Sequence, residues 1–281
     1  MLTKGDVSKM SKANSPYLLG TTDAEHGRLI HQAALFEPFT ERLFRDAGIA
    51  PGQRVLDIGS GLGDVSMLVA RLVGPGGVVL GVDNDASIVA KAQARVAEAG
   101  LGNVSFRSSD IRQIASSERF DAIVGRLILE FLPEPGEVVS SLAMLLRPGG
   151  VLAFQDACWG PFLQQVAHLP LRSRCASLIY RAFQLSGANM DMELVLYRIF
   201  QVAGLPPPNT RIEIPVGPDP DFARWVYELF CTLTPRMAGY QLAYDEVGSL
   251  DTLQQRLEDE AKAANSFGAT IALVGAWSRK P

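Results

Sequence analysis

Val55-Leu56-Asp57-Ile58-Gly59-Ser60-Gly61-Leu62-Gly63-Asp64 is the stretch that decides how this chain folds. Arg54–Ile58 is a short apolar run of the kind that forms a buried strand, and the apolar spacing from Gly63 to Val73 predicts a helix. Between them the glycines force a tight turn, so backbone N–H groups and a helix N-terminus face whatever binds there. Any tight strand-to-helix turn asks for glycine, so the information lies in the spacing. A dinucleotide loop of the form G-x-G-x-x-G needs glycine at position 64, where Asp64 stands. The acid ahead of the turn, Asp57, would repel a pyrophosphate but suits a cationic amino-acid moiety.

Outward from this turn the chain alternates short apolar strands with amphipathic helices. Strands are expected at Val78–Val82, Val104–Ser108, Asp121–Gly125 and Val151–Gln155, and helices at Ala86–Ala99 and Glu137–Leu146. Such alternation predicts an α/β fold with a parallel, doubly wound sheet, whose ligands bind at the carboxyl ends of the strands. Asp83 closes the second strand 20 residues past Gly63 and is placed to accept both hydroxyls of a ribose. A helix cap is the competing role for Asp83, although Asn84 or Ser87 would serve equally well there. Ser109-Asp110-Ile111 follows the third strand, and Arg126 follows the fourth.

Residues 1–15 read as a tail, and Thr22 to Ala47 shows helical spacing interrupted by Pro38, which predicts two helices or one kinked helix. Beyond residue 157 the pattern is less regular. Helices are expected over Pro161–Leu185, Asp191–Ala203, Phe222–Leu233 and Glu246–Ala264, and strands over Thr210–Val216 and Ala269–Trp277. The expected organisation is an N-terminal helical lid (1–50), a cofactor-binding core (51–157), and the rest of the sheet (158–281). Two helical insertions, at about 158–186 and 218–266, are too long for simple connections and are expected to form a cap.

The bulk properties exclude several classes. With 281 residues, a net charge of −4 and a pI of about 5.5, the chain lacks the basic footprint of a nucleic-acid binder. The most apolar stretch, Ala122 to Leu132, is broken by Arg126 and Glu130 and is too short to span a bilayer. Met1 to Ser15 is polar and carries no apolar segment of signal-peptide length. Cys158, Cys175 and Cys231 are scattered and odd in number, as expected of reduced thiols in a cytoplasm. No His/Cys cluster has metal-ligand spacing, so no metal is expected.

Taken in order and at these spacings, the motifs of residues 51–156 resemble the core of class I S-adenosylmethionine-dependent methyltransferases. The likeness is to small-molecule enzymes related to the ubiquinone/menaquinone C-methyltransferases. It implies a Rossmann-like seven-stranded sheet with the last strand antiparallel, here Ala269–Trp277 beside Thr210–Val216. It also implies that Gly59, Ser60, Gly61 and Gly63 wrap the methionine part of the cofactor, with Asp57 holding that loop near the ammonium. Asp83 is then expected on the ribose hydroxyls, Asn84 against the adenine, and Asp110 and the Ile111 N–H on the adenine edge. Arg126 is expected to offer backbone contacts near the methionine amine and to border the substrate pocket.

Methyl transfer from a sulfonium is a displacement that needs chiefly alignment and exclusion of water, with a general base only where the acceptor carries a proton. Asp156, Tyr17 and His31 are the candidate catalytic residues, each with a bland alternative: a cap, a linker tyrosine and a packed or surface histidine. Trp159, Tyr180, Phe183, Trp225, Tyr227 and Phe230 enrich the insertions in aromatics, most of them expected in the core, which suits an apolar or aromatic small molecule. The leading expectation is methylation of such an acceptor on C, N or O. A second is methylation coupled to rearrangement or cyclisation on the same fold. A macromolecular methyltransferase is disfavoured because Gly125-Arg126-Leu127-Ile128 stands where base-methylating enzymes carry Asn/Asp-Pro-Pro-Tyr, and a nicotinamide dehydrogenase is disfavoured by Asp57 and Asp64. The acceptor is not legible, and room is left for a homo-oligomer.

Overall fold

The computed structural model describes residues 22–114 and 117–281. It begins with a single helix, α1 (Asp23–Ala47), whose N-cap Thr22 accepts from the Glu25 N–H. Pro38 does not divide it. The proline and Ala34, whose carbonyl loses its donor, both lie on the exposed side, where solvent satisfies the freed group. Then follow β1 (Arg54–Ile58), α2 (Asp64–Val73), β2 (Val78–Asp83), α3 (Ala86–Glu98), β3 (Val104–Ser108), β4 (Phe120–Arg126), α4 (Pro135–Leu145) and β5 (Leu146–Cys158). The second half supplies α5 (Gly160–Gln165), α6 (Pro170–Ser186), α7 (Glu193–Val202), β6 (Asn209–Glu213), β7 (Val216–Gly217), α8 (Asp219–Gly239), α9 (Leu253–Ala263), β8 (Gly268–Ala269) and β9 (Ala272–Arg279).

Seven strands form one sheet in the order β3-β2-β1-β4-β5-β9-β6, while β7 and β8 pair separately. The strands from β3 to β5 are parallel, and β9 runs antiparallel to both β5 and β6. This is the seven-stranded arrangement expected from the sequence. The chain leaves β1 first toward β2 and β3, then returns to β4 on the other side. The crevice for ligands therefore opens above the carboxyl ends of β1 and β4.

Alternation along the strands divides the core. Val55, Val79, Val124 and Ala153 face α2 and the second half of α1, where Leu43, Phe44 and Ala47 are fully buried. Leu56, Ile58, Ile123 and Phe154 face α4 and α7. The C-terminal part of α1 is thus built into the sheet's core, and only its N-terminal part rises above the strand tips. There it meets a third cluster formed by the insertions, in which Phe36, Trp159, Phe162, Phe183, Trp225 and Phe230 pack together. The insertions are helical, as expected, and most of their aromatics are core. Among the described residues, no helix is long and apolar enough to cross a membrane.

Candidate active site

The turn after β1 is held by three backbone donors. The Ser60 N–H donates to the Val82 carbonyl (3.1 Å), the Gly63 N–H to the Ser60 carbonyl (2.8 Å), and the Gly61 N–H to Asp83 Oδ2 (3.0 Å). Gly59, Gly61 and Gly63 all have positive φ, at 63°, 50° and 84°. A Cβ at Gly59 would lie 2.6 Å from Ile128 Cδ1, so that position is closed by packing as well as by conformation. At Gly61 a Cβ would meet nothing, which leaves the loop backbone open to a ligand.

Two acids frame the loop. Asp83, half-buried at the tip of β2, also accepts the Asp85 N–H through Oδ1 (3.1 Å). The cap of α3 is Asp85, bonded to the Ser87 and Ile88 N–H groups, so Asp83 is not that cap. Asp57 is 1% exposed; Ser66 Oγ donates to its Oδ2 at 2.6 Å, while Oδ1 has no partner among the described residues. Burial pushes its carboxyl up to about 7, against the pull of Ser66 and of the Arg126 charge. The Ser60 hydroxyl is likewise buried without a partner. Unpartnered polar atoms, an open glycine backbone and a half-buried carboxylate one strand away suit an amino acid joined to a ribonucleoside.

The outer positions are occupied differently. Asn84 is exposed beside Asp83. Asp110 caps the short turn Ile111–Gln113 and is clasped by the exposed Arg112, whose guanidinium holds the carboxyl below its usual range. Arg126 ends β4 with its side chain under α1, where Nη1 donates to Thr40 Oγ1 (3.1 Å) and Thr40 donates to Gln155 Oε1 (2.7 Å).

Of the catalytic candidates, Tyr17 lies outside the described residues. Asp156 is fully buried, and its Oδ1 accepts from the Ile128, Leu129 and Glu130 N–H groups at 2.9, 3.0 and 3.4 Å. It therefore ties down the turn after β4, rather than capping the helix that follows it in sequence. His31 lies nine residues from Thr40, two and a half turns at ~3.6 residues per turn, and so on the opposite side of α1 from the strand tips. Its Nδ1 bonds Glu228 Oε2 of α8 at 2.9 Å, which makes it a tie between helices.

Three features had escaped the sequence. Glu130, noted there only as a charge in an apolar run, is buried and accepts the Ala157 N–H (2.7 Å). Burial and the neighbouring Asp156 push its carboxyl well up. Thr40 and Gln155, polar residues at apolar-looking positions, join α1 to the strand tips. Glu25 and Arg28, only 1% and 2% exposed, form a two-pronged ion pair on α1 (2.6 and 2.7 Å) bridged to α8 through Thr232 and, by way of Gln32, Trp225. Among the described residues, no group of three or more His, Cys, Asp or Glu is arranged to hold a metal.

The sheet order and the glycine-and-acid site define the class I methyltransferase fold, whose cofactor is S-adenosylmethionine. Residues 49–199, more than half of the chain, match the family described as a methyltransferase domain, and the chain belongs to that family. Over 138 residues it is 36% identical to nocamycin O-methyltransferase of Saccharothrix syringae, covering 49% of each chain. Over 120 residues it is 34% identical to the ubiquinone/menaquinone biosynthesis C-methyltransferase of Pseudomonas paraeruginosa, covering 42% of this chain and 46% of that one. The alignments thus span about half the length of these relatives. A solved geranyl diphosphate methyltransferase in complex with S-adenosylmethionine shares the fold at 19% identity, with a TM-score of 0.55 over 94% of both chains.

Proposed function

We propose that this protein transfers a methyl group from S-adenosylmethionine to a small, apolar or aromatic acceptor, on carbon, nitrogen or oxygen, in a biosynthetic pathway. The observation that carries the reading is the loop of Gly59, Ser60, Gly61 and Gly63 between two acids, with Asp57 Oδ1 and Ser60 Oγ buried and unpartnered. When bound, the cofactor supplies a methyl group already activated by its sulfonium. The chain's own part is to bind, align and dry the reactants. In this reading Gly59, Ser60, Gly61, Gly63 and Asp57 surround the methionine portion, and Asp83 holds the ribose hydroxyls. Asn84, Asp110 and the Ile111 N–H border the adenine, while Arg126 stands between cofactor and acceptor.

In this reading the acceptor sits above β4, under the helical insertions. Leu127 has a positive φ of 52° and packs against the cluster of the insertions, as do the half-buried Leu35, Phe39, Phe131 and Leu163. The fully buried tryptophans fill the core, so the apolar character of the acceptor rests on these half-buried side chains. With His31 turned away and one Asp156 oxygen committed to three N–H groups, no described side chain is assigned as general base. The reading favours an acceptor that is a nucleophile without prior deprotonation by the protein. Incubation with methyl-labelled cofactor and a panel of quinols, phenols and amines, both apolar and highly charged, tests it. Label is expected only in apolar products; transfer confined to charged acceptors, or none beyond background, would count against it.

A further inference from the structure

Three side chains stand in a row on one face of the sheet, at the tips of neighbouring strands. Alternation puts Asp57 with Val55 on β1, Arg126 with Ala122 and Val124 on β4, and Gln155 with Val151 and Ala153 on β5. That face looks toward α1 and α2, beside the open backbone of Gly61. Arg126 is the unusual member. A guanidinium has five N–H donors, and among the described residues this one finds a single acceptor, the Thr40 hydroxyl.

The chain's other sequestered arginines show what such a group ordinarily finds. Arg28 grips Glu25 with two nitrogens, and Arg172 grips Asp219 with two, at 2.6 and 3.0 Å. Asp64, Asp57 and Glu37 attract Arg126 from a distance, but Arg95 and Arg71 bond Asp64 and Glu37, and Ser66 takes one oxygen of Asp57. The residue is half-buried at the tip of β4, and burial of its guanidinium pulls its pKa down from the usual arginine value. A partly desolvated, forked cation beside an acid with an unpartnered oxygen matches a zwitterion: carboxylate to the arginine, ammonium toward the acid.

Resting on the cofactor reading above, we infer that the Arg126 guanidinium binds the carboxylate of the cofactor's methionine portion, in a slot roofed by α1. Because Thr40 belongs to α1 and bonds the same guanidinium, a carboxylate seated there also fixes the helix that covers it. The other source of such an anion is the acceptor, and the test separates the two.

Calorimetric titration of wild type, Arg126→Met and Arg126→Lys with S-adenosylhomocysteine, and with its analogue lacking the carboxylate, reads the contact directly. Wild type is expected to prefer the carboxylated ligand by at least about tenfold, the scale of a charge-assisted pair. Arg126→Met should bind that ligand at least about tenfold more weakly and distinguish the two by less than about threefold. Arg126→Lys, which keeps the charge but loses the fork, should fall between and serves if the methionine variant does not fold. A wild-type ratio retained in either variant overturns the inference, as does a loss seen only in the acceptor's KM. Wild type binding neither nucleoside removes the cofactor reading and this inference with it. Binding of both, with the ratio unmoved by substitution, overturns the inference alone.

Discussion

Asp156 shows what a single residue can hide. In sequence it is an acid at a strand end and reads as equally fit for chemistry or capping. In the fold its carboxylate gathers three N–H groups from a turn 26–28 residues earlier in the chain, and that turn carries Ile128 against Gly59. Asp156→Ala should cost about 3–5 kcal/mol in chemical denaturation, because it orphans buried donors. Asp156→Asn keeps an acceptor oxygen and should recover most of that loss. A catalytic Asp156 would show the reverse pattern, with stability retained and turnover lost in both. Asp83→Ala should weaken cofactor binding by about 2–4 kcal/mol, since hydrogen bonds to an ionised group are worth ~1.5–3 kcal/mol each. It should also lower the melting temperature slightly, because Gly61 and Asp85 lose an acceptor. Unchanged affinity with a collapsed melt would make Asp83 a purely structural acid. The glycines and Asp83 were legible because local backbone geometry dictates them. Glu130, Thr40 and Gln155 were not, because their partners come from distant segments.

At the scale of elements, the alternating strands and helices were legible to within a few residues, since hydrophobic period and glycine punctuation report local structure. Two points were not. Pro38 allows two helices or one kinked helix, and one helix forms because the proline's side of α1 is exposed. The sequence reads as an N-terminal helical lid over residues 1–50, and α1 is rooted in the core at Leu43, Phe44 and Ala47. Its upper half still spans the crevice, with His26 against Lys91 of α3, Glu37 against Arg71 of α2, and Gln32 against Trp225 of α8. The outward face is the one bearing Ile30, which is 44% exposed, while Ala33 is buried. On the reading of residues 1–50 as a lid, deleting residues 1–21 should lower turnover at least ~10-fold, about 1.4 kcal/mol of transition-state stabilisation, with the melting temperature nearly unchanged. Deleting residues 1–25 should behave differently, because it removes Glu25 and strands the buried Arg28 at a cost of about 3–5 kcal/mol. Full activity in the shorter deletion would reduce that segment to a tail.

Across the whole molecule, buried acids set the response to pH. Burial raises the carboxyls of Asp57, Asp156 and Glu130 above their unfolded values, Asp57 to about 7. Between about pH 4 and 7 the native chain therefore holds protons that the unfolded chain has released. Their stabilisation is fully present near the lower end and is lost as pH rises through the folded values, by up to ~1.4 kcal/mol per pH unit for each independent proton. Asp85, Asp110 and Glu118 are shifted the other way, but they sit near solvent and count for less. The melting temperature should therefore fall from about pH 5.5 to about pH 8, and Asp57→Asn should flatten the slope. A melting temperature that climbs across that window would contradict the placement of these acids.

The loop at Gly59–Gly63 is built for a sulfonium nucleoside and not for a dinucleotide. Parallel calorimetric titrations with S-adenosylhomocysteine and with NAD and NADP test it most directly. The first should bind with a Kd of order micromolar, about −8 kcal/mol, while the nicotinamide cofactors should show no saturable heat. Tight binding of NAD or NADP with none of the sulfonium product would contradict it.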